Sequence, residues 1–224
     1  MGPARAGRGS ERAHGRPLTP TTAIWYAGYG SNLDADRFRS YLHGGRPPGA
    51  ARTYPGARDP ADPLDVRPFR MPGALVFAWE SPTWGGGIAF HEPDAGGEVL
   101  ARAYLLTRRQ LADVLEQEMR REPGADHDLT TLLETGRHVL GPGRYETLRV
   151  VGALDGRPVV SFGCADARAL GVRAPAPAYL TTVARGLRSA HGLTDGEIAA
   201  YLLACPGMVP EWTAERLAEL LSDV

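Results

Sequence analysis

The sequence contains no lysine, and all 25 of its basic residues other than histidine are arginines. This absence excludes mechanisms that need a lysine Schiff base, a phosphate-loop lysine or a Ser-Lys pair. Cysteine is scarce too. Cys164 and Cys205 form no Cys-x-x-Cys pair, so the sequence supports neither a four-ligand zinc site nor a disulfide framework. We expect reduced thiols.

Long hydrophobic runs and a large excess of charge are also missing. No run approaches about 18 apolar residues, so we expect no membrane-spanning segment. The Arg-rich N-terminus is not followed by an apolar segment of signal-peptide length. A net charge of −1 implies no bulk attraction to nucleic acid or to anionic membranes. These observations predict a cytoplasmic protein with no nucleic-acid or membrane partner.

The length of 224 residues and the hydrophobic fraction of 43% are typical of one globular domain with a tail. Residues 1–21 are rich in Gly, Arg and Pro, which predicts a disordered tail; a nucleic-acid tether is the alternative. Residues 22–224 are then a single catalytic domain. Within it, residues 44–72 are dense in Pro, Gly, Arg and Asp, which predicts a long loop.

The order of the predicted elements indicates an α+β fold: a small mixed β-barrel or curved sheet flanked by helices. The Asp155-Gly156 turn predicts a hairpin between residues 145–151 and 157–163. Thr107 is a predicted N-cap, with Gln110 as its capping-box partner. Further strands are predicted at 74–79, 84–90 and 99–106, and helices at 34–42, 108–122, 179–192, 194–205 and 211–221.

The first predicted strand ends in an unusual turn. Residues 24–27 are apolar, the strand breaks at Gly28 and Gly30, and Ser31-Asn32 precede a helix. Backbone N–H groups at such a turn lack partners and attract a carboxylate or a carbonyl oxygen. The spacing fits neither the dinucleotide fingerprint nor the phosphate loop. An ordinary strand-to-helix turn is the alternative interpretation.

A pair of carboxylates, Glu116 and Glu118, follows apolar residues in the predicted helix 108–122. We expect one carboxylate to face inward, where an apolar cleft suits a general base, and the other to face solvent. The alternative is a surface helix with salt bridges to Arg120 and Arg121. No histidine has metal-ligand spacing, although the pair at 127–128 offers two donors, so we expect no metal or cofactor.

Three separated segments together resemble the γ-glutamylcyclotransferase family. The first, at 26–33, is Tyr-Ala-Gly-Tyr-Gly-Ser-Asn-Leu and is close to the family's aromatic-Ala-Tyr-Gly-Ser-Asn signature, with Gly28 as an added or shifted residue. The second, at 84–89, is similar to the Gly-Gly-hydrophobic-Ala strand entry. The third, at 115–118, is similar to the helix segment whose final Glu is the acid/base. A weaker match places a substrate-contacting tyrosine at Tyr179.

The resemblance spans about residues 24–205 and implies cleavage of a γ-glutamyl amide by intramolecular aminolysis, without a metal or cofactor. The products are 5-oxoproline and a free amine or amino acid. Glu118 is implied to be the general acid/base, and the N–H groups of residues 29–31 are implied to hold a carboxylate or the developing oxyanion. The substrate-binding residues that this predicts are Tyr26, Ala27, Gly28, Tyr29, Gly30, Ser31, Asn32, Gly86 and Tyr179.

Two alternatives remain open at this stage. A non-catalytic member of the same fold would keep the pocket to bind a small ligand or a partner protein. An enzyme that removes a γ-glutamyl protecting group from a specialised metabolite is the other. The loop at 44–72 favours a leaving group other than the simplest ones, because added loops reshape the outer part of a pocket.

Overall fold

A computed structural model describes residues 23–48 and 50–224, so the predicted tail at 1–21 lies outside the described residues. None of the described helices is both long and apolar enough to cross a membrane. The strands are β1 Ala23–Gly28, β2 Asp65–Pro72, β3 Ala74–Ser81, β4 Gly86–Glu92, β5 Glu98–Thr107, β6 Arg137–Val139, β7 Thr147–Leu154 and β8 Arg157–Gly163. The α-helices are α1 Ala35–His43, α2 Arg108–Glu118, α3 Thr130–Thr135, α4 Pro177–His191, α5 Asp195–Leu203 and α6 Ala214–Ser222.

Six strands form a curved mixed sheet in the order β2-β5-β1-β8-β7-β6, and β3 and β4 form a separate hairpin. The central strand β1 is antiparallel to β5 and parallel to β8. All six residues of β1 are buried, as expected for a strand that is covered on both faces. The glycine turn that follows β1 therefore begins in the interior of the protein.

Alternate residues of β1 point into two different apolar cores. Trp25 and Ala27 belong to a core that includes residues of the β3–β4 hairpin and of helices α4, α5 and α6. Ile24 and Tyr26 belong to a second core with residues of α1 and α2. This two-residue period follows from the alternation of side chains along a strand. Helices thus pack on both faces of β1.

Side-chain caps define the start of the helices that flank the turn. The Asp34 side chain accepts hydrogen bonds from the backbone N–H groups of Asp36 and Arg37 and starts α1. Thr107 and Gln110 form the predicted capping box of α2. Because the caps satisfy N–H groups that lack helical partners, they determine the residue at which each helix begins.

Two predictions about the elements were wrong, and two short elements were missed. Residues 65–72 of the predicted loop form β2, which pairs along its whole length with β5. Pro68 and Pro72 led to the prediction of a loop, because proline is unfavourable in most strands. Proline is tolerated at these positions because β2 is an edge strand. Helix α2 ends at Glu118 rather than near residue 122. The short elements α3 and β6 were not predicted.

Candidate active site

A cavity of about 160 Å³ lies where the turn after β1 meets α1, the end of α2 and the β3–β4 hairpin. Its floor is formed by buried side chains, and its mouth by half-exposed and exposed ones. The floor residues are Tyr26, Asn32, Arg37, Tyr41 and Tyr54, and the mouth residues include Trp79, Thr83, Trp84, Arg120 and Arg144. A small molecule that enters this cavity is therefore held at one end and has its other end near solvent.

The central contact of the cavity joins Asn32 to Glu118. The Asn32 Nδ2 donates to Glu118 Oε1 at 2.8 Å and to the Tyr26 hydroxyl at 2.9 Å. The Tyr104 hydroxyl donates to the Asn32 carbonyl at 2.7 Å and holds the backbone of this residue. One oxygen of Glu118 is thereby oriented by a buried amide whose own position is constrained.

The glycines of the turn act through their lack of a side chain. Gly28 is a regular residue of β1, paired with Arg102 without a break in register. A Cβ at Gly28 would lie 2.8 Å from the Asn32 Cβ, so Gly28 leaves room for Asn32. At Gly30 the φ angle is +64°, and a Cβ would lie 2.5 Å from the Tyr179 hydroxyl. The lack of a side chain at these two glycines therefore allows Asn32 and Tyr179 to pack closely against the turn.

Tyr179, near the start of α4, reaches the cavity beside this turn. Its hydroxyl accepts a hydrogen bond from the Ala89 N–H at 3.0 Å, and its ring packs edge-on against Trp84 at 5.3 Å between centroids. Burial raises the pKa of Tyr179 to about 12. The group is therefore a neutral hydroxyl at physiological pH, able to donate a hydrogen bond into the cavity.

A buried arginine lies at the floor. Arg37 is 4% exposed, and its Nη2 donates to the hydroxyls of Tyr41 and Tyr54 at 3.1 and 2.6 Å. Its guanidinium also lies over both rings, at 4.6 and 4.5 Å from their centroids. Burial alone would lower the pKa of Arg37, but the two tyrosines and the charge of Glu118 outweigh it, and the pKa is raised. The Arg37 side chain is therefore protonated and positively charged at neutral pH.

The tyrosine hydroxyls around Glu118 stay protonated. Burial, followed by the negative charge of Glu118, raises the pKa of Tyr26 and of Tyr145 well above the ordinary value. Burial likewise raises the pKa of Tyr41, although Arg37 opposes the effect. These groups are hydrogen-bond donors at neutral pH and not bases. Among the described side chains that line the cavity, the acidic ones are Glu118 and Glu146.

The other acidic side chains of this region have partners of their own. Glu116 is 5% exposed and its Oε1 lies 2.7 Å from His127 Nε2. Glu146 accepts a hydrogen bond from the Gly143 N–H at 2.6 Å and forms an ion pair with Arg121. The prediction that one of Glu116 and Glu118 faces solvent was wrong, because the segment that contains His127 covers the outer side of α2.

The alternative interpretation, a surface helix with salt bridges to Arg120 and Arg121, does not match the structure. Arg121 pairs with Glu146, and Arg120 donates to the Thr83 hydroxyl at 3.1 Å. Within residues 23–48 and 50–224, no group of three or more His, Cys, Asp or Glu side chains is arranged to hold a metal ion.

The structure brings most of the predicted site residues to one place. Six of them line the cavity: Tyr26, Tyr29, Ser31, Asn32, Glu118 and Tyr179. Ala27 is fully buried in the core, and Gly28 and Gly30 lie beneath the turn. Gly86 does not line the cavity. A Cβ at Gly86 would lie 2.7 Å from the Ala176 backbone nitrogen, so this glycine allows close approach of the segment that leads into α4.

Several lining residues were not predicted from the sequence. Arg37 and Tyr41 lie four residues apart on one face of α1, and an arginine on that otherwise buried face was the available signal. Arg52 and Tyr54 come from the loop before β2, where Arg52 Nη1 donates to the Gln117 carbonyl at 2.9 Å. Trp79, Arg144 and Tyr145 gave no local signal, since only the tertiary fold brings them to the mouth.

Comparison with solved structures identifies the architecture. A structure described as a γ-glutamyl cyclotransferase superposes with a TM-score of 0.50, covering 90% of this chain and 99% of that chain at 18% identity. The chain has a γ-glutamylcyclotransferase-like fold. An uncharacterized human protein matches with the same TM-score at 19% identity, covering 90% of this chain and 99% of its own. The predicted resemblance and fold class are thus confirmed for the fold.

Sequence comparison finds a similar protein whose name indicates a different activity. Histone deacetylase 5 of Arabidopsis thaliana is 30% identical over 198 residues, which is 80% of this chain. The match spans 30% of the plant protein, so the chain corresponds to less than a third of it, and the activity in its name is not assigned to this chain. No family model matches the sequence.

Proposed function

We propose that this protein cleaves a γ-glutamyl amide by intramolecular aminolysis, releasing 5-oxoproline and a free amine or amino acid, with Glu118 as general acid/base. The observation that carries the proposal is the 2.8 Å hydrogen bond from Asn32 to Glu118. It joins the carboxylate to the glycine turn inside one cavity. The γ-glutamylcyclotransferase-like fold supports the same reaction class.

The reaction uses one carboxylate twice. Glu118 takes a proton from the substrate's α-ammonium, and the freed amine attacks the γ-carbonyl carbon of the same molecule. In the tetrahedral intermediate the attacking nitrogen still carries two protons. Protonated Glu118 returns its proton to the leaving nitrogen as the C–N bond breaks, and the ring nitrogen then gives up its surplus proton, which the released amine takes up, leaving neutral lactam and a free ammonium. Because nucleophile and electrophile belong to one molecule, the protein's main task is to hold the folded conformer and the proton carrier together.

The remaining lining groups fit the charges of such a substrate. A γ-glutamyl head carries one α-carboxylate and one α-ammonium. Arg37 of the floor and the half-buried Arg52 suit the carboxylate, and the carboxylate of Glu118 suits the ammonium. Tyr29 and Ser31 of the turn line the cavity, where their backbone N–H groups and the neutral hydroxyl of Tyr179 would serve the oxygen on which negative charge develops.

The state of Glu118 also bears on the non-catalytic alternative. A binding protein of this fold would be free to hold this carboxylate against an arginine or away from the turn. Among the described residues no ion pair of Glu118 is recorded, and its hydrogen bond runs to Asn32 at the end of the turn. This arrangement supports an enzyme over a binding module. The deprotection of a specialised metabolite would use the same chemistry and differ only in the leaving amine.

The direct test is to incubate the protein with a panel of γ-glutamyl amides and to follow 5-oxoproline by mass spectrometry. We expect product from at least one of them, and a loss of roughly 10²-fold or more in Glu118→Gln. Glu122→Gln is the matched control, because it removes the same charge from an exposed position just beyond α2. Unchanged activity in Glu118→Gln, or no product from any amide, would refute the proposal.

A further inference from the structure

Two arginines at the mouth of the cavity have no acidic partner in the part of the chain that the structure describes. Arg144 lies over the face of Trp79, with its guanidinium carbon 3.7 Å from the ring centroid. Arg120 is exposed and donates to the Thr83 hydroxyl. Within residues 23–48 and 50–224 no ion pair is recorded for either arginine, and Glu146, the acidic group on this side, is already paired with Arg121. The mouth therefore carries uncompensated positive charge.

Arg120 occupies a backbone conformation that favours glycine. It follows Met119, the C-cap of α2, and has a φ angle of 61°. Helices commonly end with a glycine in this left-handed conformation, because a Cβ makes it unfavourable. An arginine at such a position is less stable than a glycine, which indicates that its side chain is retained for another reason.

Trp79 is the second strained residue at the mouth. It has a φ angle of 56° and lies at the irregularity between Ala78 and Ser81, where the β3–β4 register shifts. Such irregularities redirect a side chain, here toward the cavity. The segment that carries Arg144 is held by Glu146, which accepts a hydrogen bond from the Gly143 N–H. The Trp79–Arg144 pair is thereby built from two constrained segments.

We propose that Arg120 and Arg144, with the Trp79 ring beneath Arg144, form a subsite that selects γ-glutamyl substrates whose leaving amine carries its own anionic group. This inference rests on the proposed function. The γ-glutamyl head must reach Glu118 and the buried floor, so the leaving amine extends toward the mouth. Guanidinium groups bind carboxylates and other oxyanions by charge-assisted hydrogen bonds.

The test compares two substrates that differ only at the mouth end: γ-glutamylalanine and γ-glutamylalaninamide, in which a neutral amide replaces the carboxylate. We expect kcat/KM to be at least about 10-fold higher for the anionic compound, as expected for loss of a charged hydrogen bond. Arg144→Met and Arg120→Gly should each reduce this preference, mainly through KM. Arg137→Gln, which removes a charge from the exposed edge strand β6, should leave it unchanged.

Arg120→Gly separates recognition from stability. Because glycine suits the left-handed position, this variant should unfold at the same or a higher denaturant concentration than the original protein while losing part of the preference. A variant that loses stability together with the preference would point to a structural role and overturn the assignment of Arg120 to the subsite.

Binding to the Glu118→Gln protein distinguishes this inference from the proposed function. Calorimetry with the two compounds measures the preference where no turnover is needed. Tighter binding of γ-glutamylalanine supports the subsite even if neither compound yields 5-oxoproline, an outcome that would count against the proposed function alone. Equal binding of the two compounds, or equal kcat/KM, would overturn the subsite and leave the proposed function standing.

Discussion

Asn32 shows how one residue joins the turn to Glu118, the proposed general acid/base. Its side-chain nitrogen donates to both Tyr26 and Glu118, and its backbone carbonyl is held by Tyr104. The Oδ1 of Asn32 is buried and has no hydrogen-bond partner in the described part of the chain. A buried acceptor without a partner is costly, so a donor on the substrate, such as the α-ammonium, would fit there.

At this scale we predict that Asn32→Ala lowers 5-oxoproline formation by about 10²-fold, because small displacements of a catalytic group have effects of that size. The measurement is kcat for the preferred γ-glutamyl amide. Tyr26→Phe is the control, since it removes the other acceptor of the Asn32 amide and leaves the bond to Glu118; we expect a loss below roughly 10-fold. A larger loss of kcat in Tyr26→Phe than in Asn32→Ala would contradict the role given to Asn32.

At the scale of elements, helix α2 anchors the loop that precedes β2. The buried carboxylate of Asp113 accepts hydrogen bonds from the backbone N–H and the Nε of Arg58, both at 2.9 Å. Gln110 of the same helix donates to the carbonyl of Ala61 at 2.8 Å. The loop also supplies Arg52 and Tyr54 to the cavity. Its attachment to α2 therefore positions part of the site.

We predict that Asp113→Asn destabilises the protein by about 1–3 kcal/mol, because Arg58 loses its charged acceptor at the buried Asp113 position. Denaturant unfolding measures this change, and a higher KM should accompany it as the loop loosens. Asp126→Asn provides the comparison: Asp126 also pairs with Arg58, but its side chain is 72% exposed, so its loss should cost less than about 1 kcal/mol. Equal losses of unfolding free energy in Asp113→Asn and Asp126→Asn would contradict the role of Asp113 in holding the loop to α2.

At the scale of the whole molecule, the buried His91 and the half-buried His191 link stability to pH. Burial lowers the pKa of His91, whose Nε2 lies 2.8 Å from the Pro72 carbonyl oxygen. Burial also lowers the pKa of His191, which contacts the Ala101 carbonyl oxygen at 3.0 Å. Both side chains tie peripheral elements to the core in their neutral form.

We predict that the free energy of unfolding decreases as the pH falls below about 6.5, the ordinary histidine value. The unfolded chain binds protons at these two sites before the folded protein does, so acid favours unfolding, by at most about 1.4 kcal/mol per pH unit and site. Denaturant unfolding at pH 7 and pH 5 tests this. His91→Gln should flatten the dependence, and His43→Gln, at an exposed position, should not; equal slopes in all three proteins would refute the prediction.

Local features of the fold could be predicted from the sequence. The buried strand β1, the capping box at Thr107 and Gln110, and the hairpin at Asp155-Gly156 depend on neighbouring residues and were predicted correctly. Strand β2 could not be, because its prolines are acceptable only at a sheet edge, and being at an edge is a property of the whole sheet.

The candidate site likewise has local features that the sequence predicts and long-range contacts that it does not. The sequence by itself determined the turn, the glycines that it needs and a carboxylate on α2, because turns and helices follow from interactions over a few residues. Only the tertiary structure decided that Asn32 and Glu118, 86 residues apart, form one hydrogen bond, and that Arg144 lies on Trp79. Such contacts depend on how the sheet curves and how the helices pack, and no short stretch of chain specifies either.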